Sequence, residues 1–184
     1  MNIYELSTPL TDEKIEHLRA GDKTILSGVI YTARDAAHQK IINLLNEGKN
    51  LPFNLQDQVI YYVGPSPAKP GRTIGSAGPT TSSRMDPYTP ALLAEGLKGM
   101  IGKGARSEEV CQAIQKYKAV YFAAIGGAAA LMSKCITKVE VIAYPELGPE
   151  AIYKLEVTNL PLIVINDIKG NDLYQQGRLP YQKI

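Results

Sequence analysis

Residues 75–90 constrain this chain more than any other stretch of the sequence. The segment places four consecutive hydroxyl residues, at positions 80–83, between a Gly-Pro pair and Arg84. Pro79 presets φ for a first helical turn and lacks an N–H that such a position leaves unpaired. A helix starting there would direct several N–H groups toward one point. With the hydroxyls and a guanidinium, they predict a carboxylate or phosphate site. The competing interpretation is a solvated Ser/Thr loop that caps a helix.

Arg84 and Thr80 are the first candidate pair for chemistry. They are four residues apart, a spacing that puts both side chains on one face of a helix. A guanidinium matches a carboxylate through two parallel hydrogen bonds, so Arg84 is predicted to bind a carboxylate; a surface arginine is the alternative. Asp86 precedes Pro87, which predicts that Asp86 caps a second helix spanning residues 86–95.

Arg34 and Lys103 are the other candidate cations. Arg34 begins a predicted helix directly after a buried strand, where α/β sheets present ligand sites. A salt bridge to Asp35 or to a more distant glutamate is the structural alternative. His38 follows one turn later and is expected to be structural. Lys103 lies between two glycines, which allow close backbone approach to a ligand; an ordinary exposed turn lysine is the alternative.

The order of the predicted elements indicates an α/β fold with a central sheet and flanking helices. A turn-rich loop at residues 64–71 interrupts the pattern and is interpreted as a surface excursion within one domain of residues 1–184. Gly126 and Gly127 are interpreted as a close packing contact. The predicted helices are 11–21, 34–48, 86–95, 107–116 and one beginning at Gly126, and the predicted strands are 24–31, 59–63, 100–101, 119–125, 139–144, 152–157 and 162–165.

Composition excludes several classes of function. The 184 residues carry a net charge of +2 with dispersed Lys and Arg, so no nucleic-acid partner is expected. No apolar run approaches the roughly 20 residues of a membrane span, and the first residues show no signal-peptide pattern. The two cysteines, Cys111 and Cys135, are expected to be core residues in a reducing cytoplasm. Alone they are too few for a four-iron cluster, which takes about four thiolates.

Five segments, in order, resemble the C-terminal domain of class I (iron–sulfur) fumarases, which in two-subunit enzymes is the β subunit of fumarase or L(+)-tartrate dehydratase. The matches run from about residue 5 to residue 170, nearly the whole chain. Residues 78–86 (Gly-Pro-Thr-Thr-Ser-Ser-Arg-Met-Asp) carry the most specific match. The others are residues 26–38 with their Arg-Asp-x-x-His ending, 99–104 with Gly-Lys-Gly, 124–131 with Gly-Gly-Ala-Ala, and 145–151 (Pro-Glu-Leu-Gly-Pro-Glu-Ala).

The resemblance implies a swivelling β/β/α domain and a β subunit of a hydro-lyase that hydrates fumarate reversibly to (S)-malate. L(+)-tartrate dehydration is the sister activity. It also implies an α subunit that holds a [4Fe-4S] cluster, whose open iron acts as a Lewis acid on the substrate. Hetero-oligomers or a homodimer of β subunits are expected.

The same resemblance implies roles for individual residues. Arg84 binds a substrate carboxylate, with Arg34 and Thr81 as further substrate-binding residues. Lys103 is expected to be both catalytic and substrate-binding, contacting the substrate near the departing hydroxyl. A threonine of residues 80–83 moves the C3 proton; Thr80 is favoured for its spacing to Arg84. An isolated hydroxyl is a poor base, so a carboxylate relay is expected from the partner subunit.

Two other classes of function stay open at this point. One is a non-catalytic module that captures dicarboxylates and regulates a partner. The other is a free-standing lyase without a cluster. Fumarate and tartrate are not distinguished, because both diacids need the same arginine clamps.

Overall fold

The computed structural model describes residues 3–124 and 129–182, which form a mixed sheet covered by helices. The close packing contact predicted at Gly126 and Gly127 and the start of the helix predicted at Gly126 fall on residues 125–128, outside the described part. Within it, seven strands are present: β1 Ile3–Ser7, β2 Lys23–Thr32, β3 Val59–Tyr61, β4 Gly99–Gly102, β5 Val120–Ala123, β6 Ile136–Ala143 and β7 Ile152–Asn166. The α-helices are α1 Asp12–Ile15, α2 Asp35–Asn46, α3 Thr89–Ala94, α4 Glu108–Lys116, α5 Ala129–Lys134 and α6 Leu173–Gln176, with 3-10 helices at Ser82–Met85, Pro145–Glu150 and Leu179–Tyr181.

Strands β1 to β5 run parallel to one another, and β7 runs antiparallel to its neighbours. The strand order is β1-β2-β3-β4-β5-β7-β6, and β7 also pairs with β2. This additional pairing closes β2, β3, β4, β5 and β7 into a five-stranded ring. The carboxyl ends of β2, β3 and β4 therefore meet at one edge, the usual ligand-binding edge of parallel strands.

Two hydrophobic clusters cover the two faces of the sheet. Along β3, Val59 and Tyr61 belong to one cluster and Ile60 to the other, as the two-residue period of a strand requires. The second cluster includes Ile41 of α2 and Ile114 of α4, so it lies between the sheet and these helices. The first cluster lies on the opposite face, within the ring.

The predicted α/β architecture with a central sheet and flanking helices is confirmed, and so are most of its elements. Ser107 caps α4, its side chain accepting a hydrogen bond from the Val110 N–H. Residues 66–73 are exposed and contain no helix or strand, as expected of the surface loop. None of the helices in the described residues is long and apolar enough to cross a membrane.

Three element predictions were wrong, and one strand was missed. Residues 152–157 and 162–165 belong to one strand, β7, which continues through Asn159 at a φ of 53°. The helix predicted at 11–21 is only α1, and Thr11 makes no side-chain cap. The helix predicted from Asp86 begins at Thr89. Strand β1 was not predicted; it forms because its backbone pairs with β2 over residues 3–7.

Candidate active site

The predicted site residues come together at the carboxyl edge of β2, β3 and β4. Arg34 follows the end of β2 by two residues, and Lys103 directly follows β4. The segment carrying the threonines crosses this edge: the Thr80 N–H donates to the Tyr62 carbonyl at 2.7 Å, and Thr81 forms a parallel β-bridge with Lys103. Residues far apart in the chain therefore share one surface.

Arg84 and Arg34 meet at Asp35. The Arg84 Nε donates to Asp35 Oδ1 at 2.9 Å, and Arg34 Nη2 lies 3.9 Å from Asp35 Oδ2. Asp35 is the first residue of α2, where a carboxylate is favourable beside the N-terminal helix dipole. The two predicted carboxylate-binding arginines thus lie on either side of one carboxylate of this chain.

Arg34 is held by a second carboxylate from across the fold. Glu150 Oε1 lies 3.2 Å from Arg34 Nη2, and Glu150 Oε2 accepts a hydrogen bond from the Ala36 N–H at 3.1 Å. A Cβ at Gly64 would lie 2.6 Å from Arg34 Nη1, so the glycine leaves the space that the guanidinium occupies. The structural alternative considered for Arg34, salt bridges to Asp35 and a distant glutamate, is present in the structure.

The helical geometry predicted for residues 79–83 was wrong. The 3-10 helix begins at Ser82, and Thr81 has extended backbone, with φ −59° and ψ 121°. The N–H groups of Thr80 and Ser82 bind the carbonyls of Tyr62 and Lys103 and are not free for an anion. Pro79 pairs with Val63 across a β-bridge. The preference for Thr80 over Thr81 therefore loses its geometric reason, because Thr80 and Arg84 do not share a helix.

Both threonine hydroxyls are nevertheless open to a ligand. Neither the Thr80 nor the Thr81 hydroxyl has a hydrogen-bond partner among the described residues, and Thr81 is exposed. Asp86, the nearest carboxylate in sequence, is fully engaged elsewhere. It is not the predicted helix cap, and it is not available to receive a proton from either threonine.

Lys103 is exposed, while its backbone is held by a buried hydrogen-bond chain. The Lys103 N–H donates to Ser82 Oγ at 3.1 Å, Ser82 Oγ lies 2.8 Å from the Tyr121 hydroxyl, and that hydroxyl donates to the Gly104 carbonyl at 2.8 Å. Burial raises the pKa of Tyr121, which keeps the phenol protonated as a donor. A Cβ at Gly102 would overlap the Ser82 hydroxyl, so this glycine makes room for Ser82 and not for a ligand.

Sequence reasoning missed the buried cation Arg106. Its side chain is fully buried, and its Nε donates to Asp86 Oδ1 at 2.7 Å while its Nη2 donates to the Thr89 hydroxyl at 2.7 Å. Asp86 Oδ2 accepts the Ser107 N–H at 2.7 Å. This network ties the end of the threonine segment to the loop after Lys103. The signal in the sequence was an arginine close to the Gly-Lys-Gly turn, which local pattern alone does not mark as buried.

His38 is held by structural contacts through one ring nitrogen, while its buried Nε2 has no hydrogen-bond partner among the described residues. It is completely buried, and its Nδ1 lies 2.8 Å from the Arg34 carbonyl, which requires the proton on Nδ1. Burial lowers the pKa of His38 to about 4, so the ring is neutral near pH 7. Its ring packs against those of Tyr62 and Tyr88.

The cysteines do not fit an iron–sulfur cluster. Among the described residues no group of three or more His, Cys, Asp or Glu side chains could hold a metal ion. Cys111 accepts a hydrogen bond from Asn166 Nδ2 and Cys135 contacts the carbonyls of Leu131 and Asn159. Burial raises the pKa of both thiols, which disfavours the thiolate that a cluster needs. Both are only partly buried, at the margins of the core and not within it.

Comparison with known proteins places this arrangement in a family. A family model described as "Fumarase C-terminus" matches residues 2–177 of the 184. The chain belongs to the fumarase C-terminus family. The family match thus includes the elements that carry the edge described above, from Arg34 after β2 to Lys103 after β4.

Individual relatives of this fumarase C-terminus chain differ mainly in length. The anaerobic class I fumarate hydratase of Escherichia coli K12 is 44% identical over 153 residues, covering 82% of this chain and 28% of that enzyme. The aerobic class I fumarate hydratase of Salmonella typhimurium is 38% identical over 176 residues, covering 94% of this chain and 30% of that enzyme. The chain therefore spans less than a third of these hydratases.

A third relative is similar over almost its entire length. It is a Methanocaldococcus jannaschii protein whose name proposes it as an L(+)-tartrate dehydratase subunit beta, 39% identical over 182 residues, which cover 95% of this chain and 93% of that protein.

Proposed function

We propose that this chain is the β subunit of a class I fumarase-type hydro-lyase, which interconverts fumarate and (S)-malate together with an α subunit. The observation that carries the proposal is the convergence of Arg34, Arg84 and Lys103 with the open threonine hydroxyls at one sheet edge. The family membership supports the reaction class. The length of the relatives supports a partner, because the chain equals less than a third of the class I hydratases.

In this proposal the cations bind the diacid. Arg84 offers its two Nη atoms to one substrate carboxylate, since only its Nε is engaged within the described chain. Arg34 adds positive charge beside it, and the exposed Lys103 binds at the hydroxyl-bearing end of the substrate. Because several cations bind the same dicarboxylate, they also orient it for proton transfer.

The threonine segment moves the proton at C3 of malate. Thr80 remains the proposed catalytic residue and Thr81 a substrate-binding residue, although helix geometry no longer separates them. Asp86 is committed to Arg106, so we propose that the α subunit supplies the carboxylate that takes the proton from the hydroxyl.

The remaining parts of the proposal concern the assembly. We propose that the α subunit holds the [4Fe-4S] cluster, because the cysteines of this chain are too few and too poorly ionised for it. We further propose that residues 1–184 form one domain, as the two hydrophobic clusters share one sheet, and that the protein is cytoplasmic, as both cysteines are free.

L(+)-tartrate dehydration is the second candidate. It is favoured by the Methanocaldococcus relative, whose name proposes a tartrate dehydratase subunit and which matches this chain from end to end more nearly than the hydratases do. The same arginines would bind either diacid.

The direct test is anaerobic co-expression with an α subunit, followed by assays on fumarate, malate and L(+)-tartrate. We expect turnover of one diacid by the assembly, and a severe loss of kcat/KM, about 30-fold or more, in Arg34→Ala and Arg84→Ala. Arg84→Lys should rescue poorly, because an ammonium lacks the two-pronged geometry. Wild-type kcat/KM in a folded Arg84→Ala assembly would contradict the proposed clamp.

The role of the threonines is tested by valine substitutions, which keep the branched shape and remove the hydroxyl. Thr80→Val should lower kcat by about 10²- to 10⁴-fold with little change in KM, and more than Thr81→Val does. The reverse order would assign proton transfer to Thr81. Normal turnover in both, with C3 exchange of malate persisting in deuterated water, would place proton transfer on the α subunit.

A further inference from the structure

Asp35 faces the two arginines from a position where its charge opposes ligand binding. It accepts the Arg84 Nε at 2.9 Å, and it is a carboxylate adjacent to a site proposed for a dicarboxylate. Like charges repel, so a carboxylate beside the proposed site lowers the electrostatic affinity for a diacid. Arg34 does not require Asp35 for compensation, since Glu150 lies closer to it, at 3.2 Å against 3.9 Å.

The geometry of the Arg84 contact indicates what offsets this repulsion. The Arg84 side chain is 51% exposed, and Asp35 is its only hydrogen-bond partner among the described residues. A half-exposed arginine samples many rotamers unless it is tethered. The tether uses Nε, which leaves both Nη atoms on the opposite edge of the guanidinium without a partner in the described part of the chain. That edge is one of the two that match a carboxylate in a bidentate manner.

Asp35, the residue that tethers Arg84, is itself held in a fixed position. Asp35 begins α2 and is 29% exposed, and Arg34 before it has extended backbone. The Ala36 N–H that follows is bound by Glu150, which fixes this end of the helix to the Pro145–Glu150 turn. A carboxylate on a fixed helix start can therefore set the direction of a flexible arginine from another segment, 49 residues away.

We propose that Asp35 is a positioning residue: it holds Arg84 by Nε and so presents the paired Nη edge of that guanidinium to a substrate carboxylate. The inference rests on the proposed function, because the ligand it serves is the diacid. It assigns Asp35 a role through Arg84 and not in contact with the substrate.

Two substitutions separate positioning from charge, because the two effects have opposite signs. Asp35→Ala removes both the tether and the negative charge, whereas Asp35→Asn removes the charge and keeps an oxygen that accepts from Nε. Positioning predicts that Asp35→Ala raises KM for the diacid about tenfold, with kcat changed much less. It predicts that Asp35→Asn brings KM back to the wild-type value or below it, since the repulsion is gone and the tether remains.

Glu146 supplies a matched control. It is 59% exposed and pairs with Lys40 of α2 at 3.1 Å, so Glu146→Gln removes a negative charge on a neighbouring surface without a contact to Arg84. Its KM should stay at the wild-type value. In the Arg84→Ala background, Asp35→Ala should add no further increase in KM, because the residue that it positions is absent.

The experiment measures kcat and KM of the assembled enzyme for all variants, with circular dichroism and melting temperature as folding controls. Calorimetric titration of the isolated chains with malate gives a second readout. An Asp35→Ala KM equal to or below wild type, or an Asp35→Asn KM as high as that of Asp35→Ala, would overturn the proposal. An assembly inactive on every diacid would contradict the proposed function alone if malate binding still follows the predicted order; a wild-type assembly that neither turns over nor binds malate would overturn both.

Discussion

At the scale of single residues, the site depends on how each cation is held as much as on which cations are present. Arg34 is held between Glu150 and Asp35 and packs into space left by Gly64, while Arg84 has one polar contact within the described residues and half its side chain in solvent. Arg34 is thus fixed by its own contacts, whereas the direction of Arg84 depends on its contact with Asp35. Arg34 is the fixed cation of the site, and Arg84 is the cation that Asp35 holds in place.

Gly64 offers a test of the fixed cation. Its φ is not in the left-handed region, so Ala is compatible with the backbone, but the new Cβ would meet Arg34 Nη1 at 2.6 Å. We expect Gly64→Ala to displace the guanidinium and raise KM for the diacid about 5- to 10-fold, with little change in kcat. The measurement is steady-state kinetics of the assembled enzyme.

A double-mutant cycle provides the control for Gly64. In an Arg34→Ala background, where there is no guanidinium to displace, Gly64→Ala should have no further effect on KM. An equal effect in both backgrounds would show that Gly64 acts through the nearby Pro149 carbonyl or the loop itself.

His38 gives the protein a pH-dependent stability. Burial lowers the pKa of His38 to about 4, against 6.5 for the unperturbed side chain. As the pH falls, the unfolded chain takes up this proton first. The contribution of neutral His38 to the free energy of unfolding is therefore fully present above about pH 6.5. It is lost progressively as the pH falls toward 4, and its size is about 3 kcal/mol.

Urea unfolding between pH 4 and 8 measures this dependence. His38→Asn keeps a donor for the Arg34 carbonyl and removes the titrating ring, so its free energy of unfolding should fall less steeply over the same range. Identical slopes for the two proteins would mean that His38 does not govern acid destabilisation.

At the scale of elements, the buried network around Arg106 joins the two loops that carry the site. Asp86 closes the 3-10 helix that bears Arg84, while Arg106 and Ser107 follow the Lys103 turn, and all three are joined by hydrogen bonds of 2.7 Å. The guanidinium also lies over the rings of Tyr62 and Tyr121, at 5.4 and 5.0 Å from their centroids. This buried ion pair therefore adds to the backbone contacts of Thr81 and Ser82 with Lys103 in fixing the relative position of Arg84 and Lys103.

Removing one partner of this ion pair should lower the free energy of unfolding more than removing both charges. Arg106→Met leaves Asp86 without its cation and should lower the free energy of unfolding by about 3–5 kcal/mol. Adding Asp86→Asn should restore part of this loss, because no unpaired charge then remains. Urea denaturation measures both, and a double variant as unstable as the sum of the single changes would contradict this account.

At the scale of the whole molecule, local sequence patterns predicted most helices and strands but not the pairing of β7 with β2 that closes the ring. The helix predicted over residues 107–116 and the strand before Arg34 follow from residues within a few positions, and the structure confirms them. The ring closed by β7 against β2 depends on backbone pairing between segments more than a hundred residues apart, which no local pattern encodes.

The candidate site shows the same difference between what local sequence patterns predict and what long-range contacts decide. Clustering of Arg34, Arg84 and Lys103 could be anticipated, because residues after parallel strands share an edge. The helix at residues 79–83 could not be judged from composition, since Thr80 and Ser82 give their N–H groups to Tyr62 and Lys103, neighbours only in the folded chain. The contacts of Asp35 with Arg84 and of Arg106 with Asp86 likewise join segments 49 and 20 residues apart.

The isolated chain tests whether this protein forms only half of an active site. The purified chain would be incubated anaerobically with iron and sulfide, then examined for absorbance at about 400 nm and for turnover of fumarate, malate and tartrate. We expect a folded, colourless and inactive protein that gains activity only with its α subunit. A brown chain that hydrates fumarate by itself would contradict this expectation.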